Sequence, residues 1–390
     1  MTLLDLVLVV VLLFALMAGL SRGLLATLGG LVGLVVGGVA AFLVVPLVVD
    51  ALPEPQWRGP ATVLLAVALP LLGASMGAGV GHSLRQQVDR SGLRPLDRLL
   101  GGAASLVVAA LALSFVGTAV KATGTPGVAS AVSSSAVLRT IEDLTPTPVS
   151  RSLAEVRGAV LDDGLPRLDG LLDPRRTTTA PTVDLDDPAL EASAQSVARI
   201  WGTAYACGTG ITGSGFVSSP DRVVTNAHVV AGVDRPLVEL PGRPAQEGRV
   251  VYYDPGADLA VVAVDGLDAD PLSVAPTLET GDPAAVQGYP HGGPFTSTGA
   301  EVLDVGPVRI PGSGGTGGGE RDIYALAASV HPGSSGGPVL STDGDVVGVI
   351  FGRSSGGDAL AYGVTTTELM PVVAQAPDLD AAVTPGSCAR

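Results

Sequence analysis

Four long apolar runs crowd into the first 120 residues of this 390-residue chain, and nothing comparable follows them. They read LLDLVLVVVLLFALMAGL (3–20), LLATLGGLVGLVVGGVAAFLVVPLVV (24–49), ATVLLAVALPLLGASMGAGV (61–80) and LLGGAASLVVAALALSFVGTAV (99–120). Each reaches the roughly 18–20 residues that a helix needs to cross a hydrocarbon core. The expectation is therefore four N-terminal transmembrane helices in residues 1–120, with a lipid bilayer as the first partner. A mean hydropathy of +0.46 agrees, because it exceeds that of ordinary soluble domains. The opening MTLLD lacks the basic region of a cleaved signal peptide, so the first run reads as a permanent span.

Arginines choose the orientation. Arg22 follows the first run, and Arg85, Arg90, Arg94 and Arg98 follow the third, whereas the opposite side carries only Arg58 and Lys121. Positive residues stay cytoplasmic, which places the remainder of the chain outside. That compartment permits disulfides, and the only two cysteines, Cys207 and Cys388, both lie in the outer half and read as a single bond. Neither has a CxxC or Cys/His neighbour, so no metal is expected. A net charge of −15 and an aromatic content of 4% argue against nucleic acid as a partner. Glycine recurs at every fourth position in the second and third runs (Gly29, Gly33, Gly37; Gly73, Gly77, Gly81), a pattern that lets helix backbones approach closely.

Residues 121–192 read as a connector, with a candidate helix at SRSLAEVRGAVLDDGL (150–165) and a tether rich in Thr, Pro and Asp after it. From 193 to 390 the pattern changes to short valine-rich runs broken by Gly, Pro and Asp, such as RVVT, DLAVVAV, IYALAASV and DVVGVIF. These are strands, and their number suits an all-β domain of two small barrels.

Acyl transfer at a serine needs a base within hydrogen-bond reach, a carboxylate to orient that base, and backbone donors for the oxyanion. Three histidines are available in the outer half: His228 in VVTNAHVV, His291 in GYPHGGP and His331 in HPGSSGGPVL. The stretch SSGG occurs twice, at 334–337 and 354–357. Only the first lies between two apolar strands and is followed by proline, so Ser335 is the candidate nucleophile, while Ser354 and Ser355 read as hairpin residues.

The ordered motifs GSGFV, TNAHVV, DLAVVAV and GSSGGPV resemble those of chymotrypsin-fold serine proteases of the bacterial HtrA-like branch, over residues 195–375. The resemblance implies a chymotrypsin-like double β-barrel and assigns the general base to His228, its carboxylate to Asp258 and the nucleophile to Ser335. Asp254 stays open as a rival to Asp258. The oxyanion donors implied are the amides of Gly333 and Ser335, and the substrate pocket would draw on Ser329, Val330 and Phe351. None of the three is a carboxylate that would select lysine or arginine. Two features depart from the relatives: Ser334 precedes the nucleophile where Asn or Asp is usual, and the 55 residues after Ser335 leave no room for a PDZ module.

The apolar start is similar to the colicin V production family. Spans, connector, protease domain and two cysteines together resemble the mycobacterial acid-resistance periplasmic serine protease family. That arrangement implies a membrane-anchored serine endopeptidase, needing no cofactor, that acts on protein substrates outside the cytoplasm, cell-wall enzymes among them, during acid or oxidative stress. The alternative is a transport or secretion component whose outer domain only binds peptides.

Overall fold

A computed structural model describes residues 3–51, 58–88, 94–122, 132, 135–160, 166–168, 183–204, 209–310, 319–354 and 359–386. The chain divides into two compact units, residues 1–115 and 116–390.

The first unit is helical, with α1 (Leu3–Arg22), α2 (Leu24–Ala51), α3 (Arg58–Val88) and most of α4 (Arg94–Ala122). Among the described residues three stretches are long and apolar enough to cross a membrane: Leu3–Arg22, Leu24–Ala41 and Pro95–Gly117. The expectation of four spans is thus corrected to three among the described residues. The third apolar run does form a helix, but α3 carries Pro70 inside it and continues into the polar sequence HSLRQQV. Proline removes a helical hydrogen bond and crowds the preceding turn. The glycine ridges meet where α2 crosses α3: a Cβ placed on Gly33 would lie 2.0 Å from the Gly73 carbonyl oxygen. Asp97 of α4 accepts hydrogen bonds from the Leu24 and Leu25 amides at 3.1 and 3.4 Å, a carboxylate at the positive end of α2.

The second unit begins with α5 (Ala136–Leu144), α6 (Thr147–Val160), β1 (Arg167–Leu168) and α7 (Pro188–Ala194). Asp187 caps α7 by accepting from the Ala189 amide at 2.8 Å, ahead of Pro188 in the first turn. A first sheet follows from β2 (Val197–Ala204), β3 (Thr209–Ser219), β4 (Arg222–Thr225), the short helix α8 (Ala227–Val230), β5 (Leu237–Glu239), β6 (Gln246–Glu247), β7 (Arg249–Asp254) and β8 (Leu259–Ala263). The second sheet draws on β9 (Pro283–Gly288), β10 (Thr296–Ile310), β11 (Gly319–Ala327), β12 (Pro338–Leu340), β13 (Val346–Ser354) and β14 (Leu360–Thr365), with α9 (Thr366–Gln375) after it.

The strand orders are β6-β5-β2-β3-β4-β8-β7 and β1-β13-β12-β9-β10-β11-β14. β13 also pairs with β14, so the second sheet curls back on itself, while the first stays open. The double β-barrel expectation is therefore corrected as well. At one end of the first sheet β6 has only two residues, too short to carry a closing ladder. β1 joins the second sheet in parallel, Arg167 opposite Arg353.

β-Branched residues dominate because the sheets are buried on their inner faces: all five residues of β8, LAVVA, are buried. Ala198, Val217 and Val262 belong to a core under the first sheet, and Val286, Leu326 and Ile350 to one under the second. A third cluster joins Phe216, Val224 and Val261 of the first sheet to Ile323, Val349 and Tyr362 of the second. That shared core fixes the seam on which the functional side chains lie.

Candidate active site

His228 is placed by the buried strand β4, whose end leads through Asn226 into α8. Asp258 is placed by the β7–β8 connection. There Asp254 accepts from the Gly256 and Ala257 amides at 2.7 and 3.1 Å, which folds the turn, and Asp258 takes a left-handed φ of 57°. Aspartate tolerates that region better than most residues. The Asn226 side-chain amide donates to the Asp258 carbonyl at 2.9 Å, tying the two segments together. One Asp258 carboxylate oxygen accepts from the His228 backbone amide at 3.0 Å, and the other lies 2.8 Å from His228 Nδ1. Both residues are buried. A carboxylate on Nδ1 favours the tautomer with its proton there, leaving the Nε2 lone pair for a substrate or a hydroxyl.

Ser335 lies on the loop between β11 and β12, docked against the first sheet. The Ser214 amide of β3 donates to its carbonyl at 2.7 Å. A Cβ on Gly213 would fall 2.5 Å from the Val229 side chain and 3.2 Å from the Ser335 carbonyl, so only a glycine separates the serine loop from the histidine helix. Ser335 Oγ and His228 Nε2 are both buried and have no hydrogen-bond partner among the described residues.

The backbone around Ser335 alternates. The Ser334 and Gly337 amides donate to His331 and Ser334 carbonyls, whereas no such bond from the Gly333 or Ser335 amide occurs among the described residues. Gly333 has φ 91°, and a Cβ there would lie 2.5 Å from the Tyr289 carbonyl. Only glycine fits such a position.

Asp254, the rival carboxylate, is engaged in its own turn, and His228 faces Asp258 instead. The other two histidines come together: the His291 and His331 rings stack with centroids 5.4 Å apart, beside the Ser335 loop. Ser329 and His331 line a cavity of about 450 Å³ that also takes Arg151, Ala154 and Glu155 from α6, Pro290 and His291 from the turn after β9, and Thr296 to Gly299 from the start of β10. Val330 and Phe351 are instead packed into the cores. Ser354 ends β13. Cys207, Ser355 and Cys388 lie outside the described residues. Among the described residues no group of three or more His, Cys, Asp or Glu side chains is placed to hold a metal.

The trypsin-like peptidase domain family matches residues 213–349, and the colicin V production protein family matches residues 4–146. Serine protease Rv3671c of Mycobacterium tuberculosis (strain H37Rv) is 33% identical over 326 residues, covering 81% of each chain. The crystal structure of that protease in its active form matches at 34% identity with a TM-score of 0.53, over 58% of this chain and all of that one. The chain belongs to the family of trypsin-like serine proteases that includes Rv3671c. A probable periplasmic DegP-like serine endoprotease of Pseudomonas savastanoi is 32% identical over 173 residues, but those are only 42% of this chain and 34% of that one.

The protease is thus a membrane-anchored, multi-pass serine endopeptidase with an extracytoplasmic catalytic domain. Two residues of the protease, one buried and one partly buried, escape a reading of the sequence. Ser214 is hidden inside GSGFV, where it looks like part of a strand, and Arg199 stands in the apolar strand VARIWGTA. A charged residue inside such a strand was the one available signal for Arg199.

Proposed function

We propose that Ser335 is the nucleophile of this endopeptidase, His228 its general base and Asp258 the carboxylate that orients the imidazole. Ser335 Oγ attacks the scissile carbonyl and passes its proton to His228 Nε2. The tetrahedral oxyanion is received by the Gly333 and Ser335 amides. As the C–N bond breaks, His228 returns the proton to the departing amine, leaving an acyl-serine. Water, deprotonated by His228, attacks that ester and frees Ser335 and the carboxylate product. The observation that carries this reading is the buried His228–Asp258 pair, whose outer nitrogen and the Ser335 hydroxyl both lack a hydrogen-bond partner among the described residues.

Ser329, on the wall of the cavity, carries no charge that would itself select lysine or arginine at the cleaved bond. In this reading residues 1–120 hold the protease in the membrane, 121–192 connect, and 193–390 cleave, with Cys207 and Cys388 bonded in the oxidising compartment. The substrates are cell-envelope proteins, cell-wall enzymes among them, turned over under acid or oxidative stress.

The test is a fluorophosphonate probe applied to the full chain in detergent, with the adduct mapped by peptide mass spectrometry. A single adduct on Ser335, absent from His228→Ala, is expected. An adduct elsewhere, or none on folded protein, overturns the assignment.

A further inference from the structure

The amides assigned to the oxyanion stand in peptide planes that something must aim. The turn Tyr289–Gly293 is the nearest candidate. The His291 amide donates to the Pro332 carbonyl at 2.5 Å. In a trans peptide the carbonyl and the following N–H point to opposite sides. Anchoring the Pro332 carbonyl on the turn therefore aims the Gly333 N–H away from it. The next carbonyl, that of Gly333, accepts from Ser214 Oγ at 2.7 Å, and the same hydroxyl accepts from the Tyr289 amide at 2.9 Å. With its own amide on the Ser335 carbonyl, Ser214 touches both ends of the tripeptide Gly333–Ser334–Ser335 and the turn beside it. It is fully buried.

The turn is itself held from behind. Arg199 Nη1 donates to the Gly292 and Gly293 carbonyls at 3.2 and 3.3 Å, and Nη2 donates to Glu239 at 2.7 Å. The guanidinium lies over the Trp201 and Tyr289 rings, 4.9 and 5.5 Å from their centroids. This fork suits arginine: two carbonyls, a carboxylate and an aromatic face are engaged at once, and lysine cannot reproduce it. His291, at the middle of the turn, is held at φ 55°. A non-glycine residue stays in that region only where its surroundings insist.

We propose that Ser214 and Arg199 are positioning residues for the oxyanion-binding loop, acting through the Tyr289–Gly293 turn to orient the Gly333 amide. The inference rests on the catalytic reading above. Neither side chain is assigned a contact with the substrate, so their loss moves the chemical step and leaves binding nearly intact. Removing an oxyanion donor outright lowers kcat by about 10²–10³. A donor left in place but poorly aimed loses less.

The experiment compares wild type, Ser214→Ala, Ser214→Cys and Arg199→Lys as full chains in detergent, with fluorescein-labelled casein as substrate and a fluorophosphonate as probe. Ser214→Ala should lower both kcat and the maximal labelling rate by about 10–100-fold, with KM and the probe's half-saturation within about threefold. Ser214→Cys, which keeps a weak donor, should fall between it and wild type. Arg199→Lys should lower kcat by about 3–10-fold. Wild-type labelling rates in Ser214→Ala, or losses confined to KM, overturn the inference and leave the catalytic reading standing. A folded wild type without an adduct on Ser335 removes both. Should Ser214→Ala lose its near-ultraviolet dichroism, Ser214→Cys and Arg199→Lys decide by the same criteria.

Discussion

Glycine performs two different tasks in the two units of this chain. Along the α2–α3 crossing it is valued for what it lacks: a Cβ on Gly77 would lie 2.0 Å from the Gly29 carbonyl, and one on Gly33 equally close to Gly73. The backbone there is ordinary helix. In the Ser335 loop, glycine is needed for conformation as well as space, since Gly333 and Gly336 have φ 91° and 81°. The first task is periodic and is one of space alone. The second is singular, because a left-handed residue packed against Tyr289 and Ser214 has no substitute. The comparison teaches that the helix pair is an assembly feature, whereas the loop is a chemical one, and mutations should separate them.

The largest effect expected is from Ser335→Ala. Loss of the nucleophile should lower casein turnover by about 10⁶-fold, measured by released fluorescence, with the helical unit untouched. Asp258→Asn should follow, at about 10⁴-fold in kcat, because the amide reverses the tautomer that the carboxylate holds on His228. If either variant kept turnover above a tenth of wild type, the loop would lose its claim to chemistry and the contrast with the helices would fall. Gly333→Ala should come next, with kcat down by about 10²–10³ and KM nearly constant, since its methyl group displaces the donor without filling the substrate cavity.

Gly33→Val sharpens the same contrast from the other side. Its side chain would meet the Gly73 carbonyl and force α2 and α3 apart. Overpacking of this kind costs about 1–3 kcal/mol, read as a lower midpoint for the loss of helical dichroism in detergent. Casein turnover by the anchored chain should stay within about twofold, because oxyanion aiming and helix crossing are independent tasks. A fall in kcat comparable with that of Gly333→Ala would show that the two units share one energetic network.

The parts legible from residues alone were those encoded locally. Apolar runs announce helices, and the segments TNAHVV, DLAVV and GSSGGPV announce the three side chains that the proposal uses. What was not legible depends on long-range register. Whether β13 reaches β14 and β6 reaches β7 cannot be read from strand composition, so one sheet curls back and the other stays open where two barrels were expected. The third apolar run satisfied a length criterion and forms α3, with Pro70 inside it and a polar end, but it is not among the three candidate spans of the described residues. Ser214 contacts a carbonyl 119 positions away, and Arg199 contacts carbonyls 93 and 94 positions away. A serine hydroxyl between two glycines carries no local mark of such a partner. Val330 and Phe351 were expected at the pocket because of their place beside the nucleophile loop, but their apolar side chains gain more from the cores they enter.

The smallest effect concerns the aromatic ring at the start of the positioning turn. Burial pushes the Tyr289 phenol up to about 12, with nearby Arg199 pulling the other way and Glu239 adding to the rise. Tyr324, in the second core, is likewise raised to about 12, chiefly by burial. Unfolded tyrosine titrates near 10. The folded state therefore holds these protons more tightly than the unfolded chain. The associated stability is complete below pH 10 and is lost as pH rises through about 12, so nothing changes at neutral pH. Absorbance at 295 nm should show a late step near pH 12, and Tyr289→Phe should remove one of the six tyrosine amplitudes from it. If the lost amplitude came instead from a step near pH 10, Tyr289 would be open to solvent, and the turn that aims Gly333 would be looser than the packing around Arg199 requires.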